Sequence, residues 1–282
     1  MTDISFEFFP PRSERMAQQF WRALAALEGF RPRFISLTDG AGGSTRTRAH
    51  DLLRALSEQK RHQIAAHLTC VGASREETDA TIAAWQGLGI GHFVALRGDM
   101  PNGAAPFTPH PQGYSGSVAL VEALAQRGVS EISVSAYPER HPDAVDAHSD
   151  MDILKRKWQA GACRAITQFC FDTAALLRLR DQLARAGMEI ALVPGIMPTT
   201  NFDGVVRMAK RCGAAVPRWL RQRYEGLGED VAARREIAAD IGAEQCRALV
   251  EAGFAHLHFY TLNQSAVVAR ICALCRLGGK AA

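Results

Sequence analysis

No stretch of this chain approaches the ~18 consecutive apolar residues of a membrane-crossing helix. Asp3 and Glu7 stand near the N-terminus, which lacks both the basic start and the apolar run of a secretory leader. Neither a membrane partner nor export is expected. No strong charge of one sign is present either. Lys and Arg number 33 against 29 Asp and Glu, and the resulting +4 is too mild to argue for a nucleic-acid partner, though it would not repel an anionic ligand. Seven cysteines, an odd number without a secretion signal, imply reduced thiols and a cytoplasmic location. Cys272-x-x-Cys275 has no second pair to complete a zinc site, and two small apolar side chains one helical turn apart explain it. No metal-ligand constellation, nucleophile elbow, repeat, linker or low-complexity tract is visible. The remaining composition, 47% hydrophobic and 22% charged over 282 residues, is that of an ordinary globular chain with ample material for a core.

Short apolar runs of strand type recur along the chain. They fall at 4–9, 33–38, 63–69, 91–97, 130–136, 163–169, 189–193 and 255–261. Helical patterns lie between them. Met16, Phe20, Leu24 and Leu27 mark one face, and Leu176, Leu179 and Leu183 mark another. Ser74-x-x-Glu77 has the spacing of a capping box, and Gly187 falls where a helix would end. Such alternation predicts an α/β fold, a single-domain (βα)8 TIM barrel over 1–282. A doubly wound sheet is the alternative, but no G-x-G-x-x-G follows the first strand. The segment 196–254 is too long for one helix. It predicts extra helices between the seventh and eighth strands, one or two short ones around Pro217–Leu227 ahead of a long one at 232–252.

In such a barrel the chemistry gathers at the C-terminal ends of the strands. Those ends carry Glu7, then Thr38-Asp39-Gly40, His67, Arg97-Gly98-Asp99, Tyr137 with His141, Gln168, Pro194-Gly195, and Tyr260-Thr261 leading to Asn263. Nearly every strand delivers a polar or ionisable group to one rim, as a site for a large polar ligand requires. Taken singly, each has a plainer explanation. A strand glutamate can pair with a buried arginine, His67 can be a satisfied core histidine, and Lys155-Arg156-Lys157 can be a solvated helix face. Residue chemistry alone reaches a barrel with an acid-bearing, phosphate-tolerant mouth.

Seven segments together resemble the methylenetetrahydrofolate reductase family in its short bacterial form, the catalytic barrel only. They are "SFEFFPP" (5–11), "HLTC" (67–70), "VALRGD" (94–99), "AYPERHP" (136–142), "KRKWQAGACRAITQF" (155–169), "PGIMP" (194–198) and "FYTLN" (259–263). The resemblance implies a flavoprotein with FAD as cofactor and NADH or NADPH as electron donor. It would interconvert 5,10-methylenetetrahydrofolate and 5-methyltetrahydrofolate in one-carbon metabolism. Alternatives on the same site are a 5-methyltetrahydrofolate oxidase in a demethylation pathway and a folate- or flavin-binding protein without turnover. Family members are often homo-oligomers, so further copies of the chain are an implied partner.

The resemblance also implies roles. Glu7 matches the general acid, and Phe6 and Phe8 beside it are expected to raise its pKa. Asp99 matches the aspartate beside flavin and pterin, and Gln168 the amide that meets pterin and nicotinamide in turn. Thr38, Asp39, Ala41, His67, Arg97, Gly98, Tyr137, His141, Asp150, Arg156 and Lys157 match cofactor-binding positions. Met208 and Gln264 match substrate-binding positions. At several of these the chain departs from the commoner pattern. Asp39 stands for a tyrosine and Ile153 for an asparagine. Gly204 and Met208 replace a glutamine and a phenylalanine, and Gln264 replaces an arginine that meets the folate's glutamate tail.

Overall fold

A computed structural model describes residues 2–38, 43–100 and 107–279; Asp39 and Ala41 lie outside the described residues. The chain alternates strand and helix: β1 (Asp3–Phe8), α1 (Glu14–Glu28), β2 (Phe34–Leu37), α2 (Gly43–Gln59), β3 (Ile64–Thr69), α3 (Arg75–Gly87) and β4 (His92–Leu96). There follow α4 (Ser117–Gln126), β5 (Glu131–Ala136), α5 (Ala147–Gln159), β6 (Arg164–Thr167), α6 (Thr173–Arg185), β7 (Ala191–Val193) and β8 (Gly195–Ile196). Helices α7 (Phe202–Cys212), α8 (Arg218–Tyr224) and α9 (Val231–Glu251) come next, then β9 (His256–Tyr260) and α10 (Ala266–Leu274). All strand pairs are parallel, in the order β7-β6-β5-β4-β3-β2-β1-β9-β8. This is the nearly closed α/β barrel expected.

The strand expected at 189–193 is present as β7, and past Pro194 a short strand that was not expected, β8, follows. β7 pairs with β6 at one edge of the sheet, and β8 pairs with β9 at the other. Proline has no N–H for a ladder, so the chain changes partners there and the edges meet. The seam is stitched from both sides. The Pro194 carbonyl accepts from His258 N at 2.9 Å, and Gly195 N donates to Thr167 Oγ1 at 2.9 Å. A Cβ on Gly195 would lie 2.4 Å from the Thr167 carbonyl oxygen and 2.5 Å from the Tyr260 ring, so only glycine fits this crossing.

Period-two alternation sorts each strand's side chains to opposite faces. Ile4, Phe6, Phe8, Ile35, Leu37, Phe93, Ile132, Val134, Leu257 and Phe259 point outward into the layer between sheet and helices. There Phe8 meets Phe20 of α1 edge-to-face at 5.4 Å, and the face predicted for α1 supplies Phe20, Leu24 and Leu27. The Ser74–Glu77 capping box forms with both reciprocal bonds and opens α3. Residues of the other parity fill the barrel, with Phe34, Ala65, Val94, Ile166 and Val193 as an apolar plug.

Below that plug lies a polar layer built from the first residues of several strands. Arg164 donates to Glu131 Oε2 at 3.0 Å, to Ser133 Oγ at 3.2 Å and to His92 Nε2 at 3.2 Å. Its guanidinium carbon lies 5.2 Å from the centroid of the Phe34 ring. A guanidinium can only donate, so His92 accepts through a bare Nε2 and is neutral. Burial, with the Arg164 charge second, pushes His92 down to about 2; burial and neighbouring charges push His256 down to about 3. Both histidines bind a proton in the unfolded chain below about pH 6.5 but not in the folded one. Folding is therefore opposed progressively as pH falls from about 6.5 toward 3, by on the order of 1 kcal/mol per pH unit for each histidine. Urea unfolding should show full stability at pH 7.5 and a clear loss by pH 5. A flat profile over that window would mean that the folded state already holds the protons.

Candidate active site

Glu7 is on the inward parity of β1, one residue before the strand ends. Its carboxylate is 20% exposed and lies 3.4 Å from His67 Nε2 on β3 and 3.6 Å from His258 Nε2 on β9. Both contacts are looser than a well-formed hydrogen bond, and both ring nitrogens are buried without another partner. Behind the acid runs a buried chain: His258 Nδ1 is 2.7 Å from Ser5 Oγ, which is 2.9 Å from His256 Nε2. Ser5 has a single hydroxyl proton. If His258 turns its Nε2–H to the carboxylate, its Nδ1 must accept from Ser5, and Ser5 accepts in turn from His256.

The expectation that phenylalanines raise the Glu7 pKa does not hold. Strand alternation sends Phe6 and Phe8 into the helix-facing layer, away from the carboxylate. Burial still pushes the carboxyl up, but the close approach of His258 Nε2 and the charges of His67 and His258 outweigh it and hold the pKa below the usual carboxylate range. Burial likewise pushes His67 down, against the pull of Glu7. Above the rim, Tyr260 donates to the Thr167 carbonyl at 2.6 Å; burial and then the Glu7 charge raise its pKa well above the ordinary value. His258 was not singled out from the sequence. The alternation His256, His258, Tyr260 in "HLHFY" was the available signal, since it puts all three on the barrel's inner face.

Beside this cluster a cavity of about 690 Å³ is lined by Arg97, Gly98, Asp99, Tyr137, His141, Asp150, Ile153 and Lys157, among others. Gly98 has φ +83°, and a Cβ there would lie 2.4 Å from Val71 Cγ1, so the chain passes this wall only as glycine. Arg97 is held by Asp143 at 2.7 Å, and its guanidinium carbon lies 4.8 Å from the centroid of the Phe107 ring. Tyr137 meets His141 edge-to-face at 4.6 Å, and the main-chain N–H of His141 donates to Asp150 at 2.8 Å. Burial, then Cys212 and Asp99, push the Tyr137 phenol up to about 12. Lys157 is buried, and its Nζ reaches only Ser135 among the described residues, at 3.3 and 3.5 Å. Burial pulls its pKa down to about 8 in spite of Asp150. A buried ammonium with no carboxylate in contact is costly, and an anion beside it would offset that cost.

Other expected residues are placed less centrally. Arg156, next to Lys157 on α5, is exposed and does not line the cavity. Thr38 is half-buried just past β2. Gln168 accepts from Phe169 N at 3.0 Å through its side-chain oxygen, while its NH2 group makes no hydrogen bond with the described residues. Met208, on α7, packs against a separate apolar cluster that includes Phe169, Phe171 and Tyr224. Gly204 sits under the N-cap side chain of Asn201, which accepts its N–H at 3.0 Å. Gln264 is exposed and lines a second cavity.

A parallel barrel that gathers a buried acid, a carboxamide and a cation-bearing cavity at its strand ends has the architecture of a barrel enzyme. The comparisons with known proteins are specific. The family model described as methylenetetrahydrofolate reductase matches residues 1–276, and the chain belongs to that family. It is 39% identical over 270 residues to the 5,10-methylenetetrahydrofolate reductase of Salmonella typhimurium, covering 96% of this chain and 89% of that one. The Escherichia coli enzyme of the same name is 38% identical with the same coverage. Methylenetetrahydrofolate reductase (NADH) 1 of Arabidopsis thaliana is 32% identical, over 93% of this chain but 46% of that one. Among solved structures, a dihydropteroate synthase from Thermus thermophilus superposes with a TM-score of 0.50 at 14% identity, over 97% of this chain and 92% of that one. That likeness concerns the fold alone.

Proposed function

We propose that the protein is a flavin-dependent oxidoreductase that interconverts 5,10-methylenetetrahydrofolate and 5-methyltetrahydrofolate, with NADH or NADPH as electron donor. The observation that carries this reading is the Glu7 carboxylate, held between two buried histidines on the rim that also bears the anion-accepting cavity. Ring opening of the methylene bridge leaves a basic N10 that must take a proton, and Glu7 is the acid placed to give it.

The cavity fits FAD. Lys157 supplies a buried positive charge for the pyrophosphate, Tyr137 an aromatic face, and Gly98 a wall without a side chain. Arg97, His141 and Asp150 would hold the polar remainder of the cofactor. The flavin would supply the hydride path between donor and folate. In the free site Glu7 is ionised, because the histidines outweigh burial. A ring system filling the mouth removes water from the exposed part of the carboxylate, which pushes its pKa upward. Glu7 therefore becomes an acid when substrate covers it. Asp99, exposed on the rim, would place a negative charge near the cationic folate, and the free NH2 group of Gln168 would read the pterin edge.

Purified protein should be yellow and release FAD on denaturation. Anaerobic NADH or NADPH should bleach the colour, and 5,10-methylenetetrahydrofolate should restore it. A colourless protein that gains no activity from added FAD would overturn the proposal.

A further inference from the structure

None of the seven cysteines has a part in the proposed reaction, and all are free thiols. Cys70, Cys163 and Cys170 donate to main-chain carbonyls. Cys246 of α9 and Cys275, the residue that ends α10, instead hydrogen-bond thiol to thiol across the interface of the two helices. Cys275 donates to the Ala243 carbonyl of α9 at 3.4 Å, which leaves its sulfur to accept from Cys246. The helices come together one turn earlier. A Cβ on Gly242 would lie 2.3 Å from Ile271 Cδ1, so the missing side chain lets Ile271 lie against the α9 backbone. One turn further along each helix, the two cysteines meet.

The two thiols are not equivalent. Cys246 is buried, and its bond to Cys275, then burial, push it well above the ordinary thiol range. Cys275 is partly exposed. There the hydrogen bond from Cys246 outweighs burial and, with the charge of Arg247 beside it, pulls the thiol down to about 7. Cys272, one turn before Cys275 on α10, is buried, and burial keeps it protonated. An accessible thiolate is the form that reacts with oxidants, and a thiol in contact behind it can capture the oxidised sulfur.

We propose that Cys275 and Cys246 form a modification site for hydroperoxides, with Cys275 the residue oxidised, Cys246 the resolving thiol, and a disulfide between α9 and α10 the product. The Cys275 thiolate attacks one peroxide oxygen. The S–O bond forms as the O–O bond breaks, sulfur is oxidised to a sulfenic acid, and the other oxygen leaves as hydroxide or alkoxide and takes a proton from solvent. The Cys246 sulfur then attacks the sulfenic sulfur. The S–S bond forms, the S–O bond breaks, and the hydroxyl departs with the Cys246 proton as water. A dithiol reduces the bridge and restores both thiols. The bridge closes the segment 246–275 around β9, which carries His258. Just past that strand, Thr261 donates to the Glu7 carbonyl through its hydroxyl at 2.6 Å. The clasp therefore joins the two helices that flank the strand supporting the acid.

Peptide mapping of the full-length protein, treated with a slight excess of hydrogen peroxide at pH 7, provides the test. Remaining thiols are blocked with iodoacetamide, and the digest is run without reductant. A linked pair of peptides should appear, with fragmentation placing the bridge between Cys246 and Cys275, and dithiothreitol should abolish it. In Cys246→Ala the link should be lost and dimedone should trap Cys275 as its sulfenic acid. Cys275→Ala should leave Cys246 and Cys272 reduced. In untreated wild type, iodoacetamide at pH 7 should label Cys275 several-fold faster than Cys163 and Cys212, which are also partly exposed. A bridge that runs to Cys272 instead would overturn the proposal. So would peroxide-treated wild type in which Cys246 and Cys275 stay free, or in which Cys275 is labelled no faster than Cys163 and Cys212; neither result depends on a variant that folds.

Discussion

Glu7→Gln should slow the half-reaction with methylenetetrahydrofolate by ~10²–10⁴-fold, the range for a lost general acid. The half-reaction with the nicotinamide donor should keep its rate within a few fold. The two diverge because only the folate step needs a proton at N10. The amide keeps the volume of the carboxyl, so the space between His67 and His258 is filled as before. Stopped-flow traces of the two half-reactions, recorded separately, check this. The pH profile adds a second reading. In the free enzyme the Glu7 pKa is depressed, so kcat/KM for folate, which reports free-enzyme ionisations, should decline as pH rises above that value. The glutamine variant should lose this limb. Equal damage to both half-reactions would make Glu7 a structural link in the histidine cluster and leave the proton to another donor.

Arg164→Met should cost about 1–3 kcal/mol of stability, the scale for taking a donor from a buried polar network, since the carboxylate it leaves, Glu131, is 47% exposed. Methionine follows much of the arginine's path but cannot donate. Its loss strips His92 and Ser133 of a donor, and Glu131 of its 3.0 Å ion partner. The apolar gain over Phe34 offsets only part of this. Urea unfolding at pH 7.5 measures the loss. At lower pH the variant should recover part of the difference, because removing the guanidinium also removes the second-largest cause of the low His92 pKa. An unchanged midpoint would show that the network contributes position but little energy.

Sequence reasoning reached the strands, helices and rim because alternation and capping are local. Each strand carries its own parity, and Ser74-x-x-Glu77 needs nothing beyond one turn of helix. The short strand β8 was missed because a proline just past a strand says only that a ladder bond is absent, not that the chain resumes pairing at the sheet's other edge. The sign of the Glu7 shift was missed for a related reason. Its neighbours in sequence are phenylalanines, but its neighbours in space are His67 and His258, on other strands. Lys157 and Arg156 are adjacent in sequence, yet helical rotation by about 100° per residue buries one and exposes the other. The cation layer under the barrel draws on several elements, so no single segment announced it.

The acid is bound to strands far apart along the chain. Ser5 and His258 are 253 positions apart, and Glu7 and Thr261 are 254 apart. Closing so long a loop carries an entropic cost that precedes the contacts it allows, and β9 follows every other strand described here out of the ribosome. Until then Glu7 has neither the imidazole of His258 beside it nor the hydroxyl of Thr261 holding its carbonyl. A nascent or truncated barrel can therefore hold the seven paired strands β1–β7 and still lack the contact between Glu7 and His258. On the proposed reading of Glu7 as the acid, chemistry waits for β9 to join the sheet.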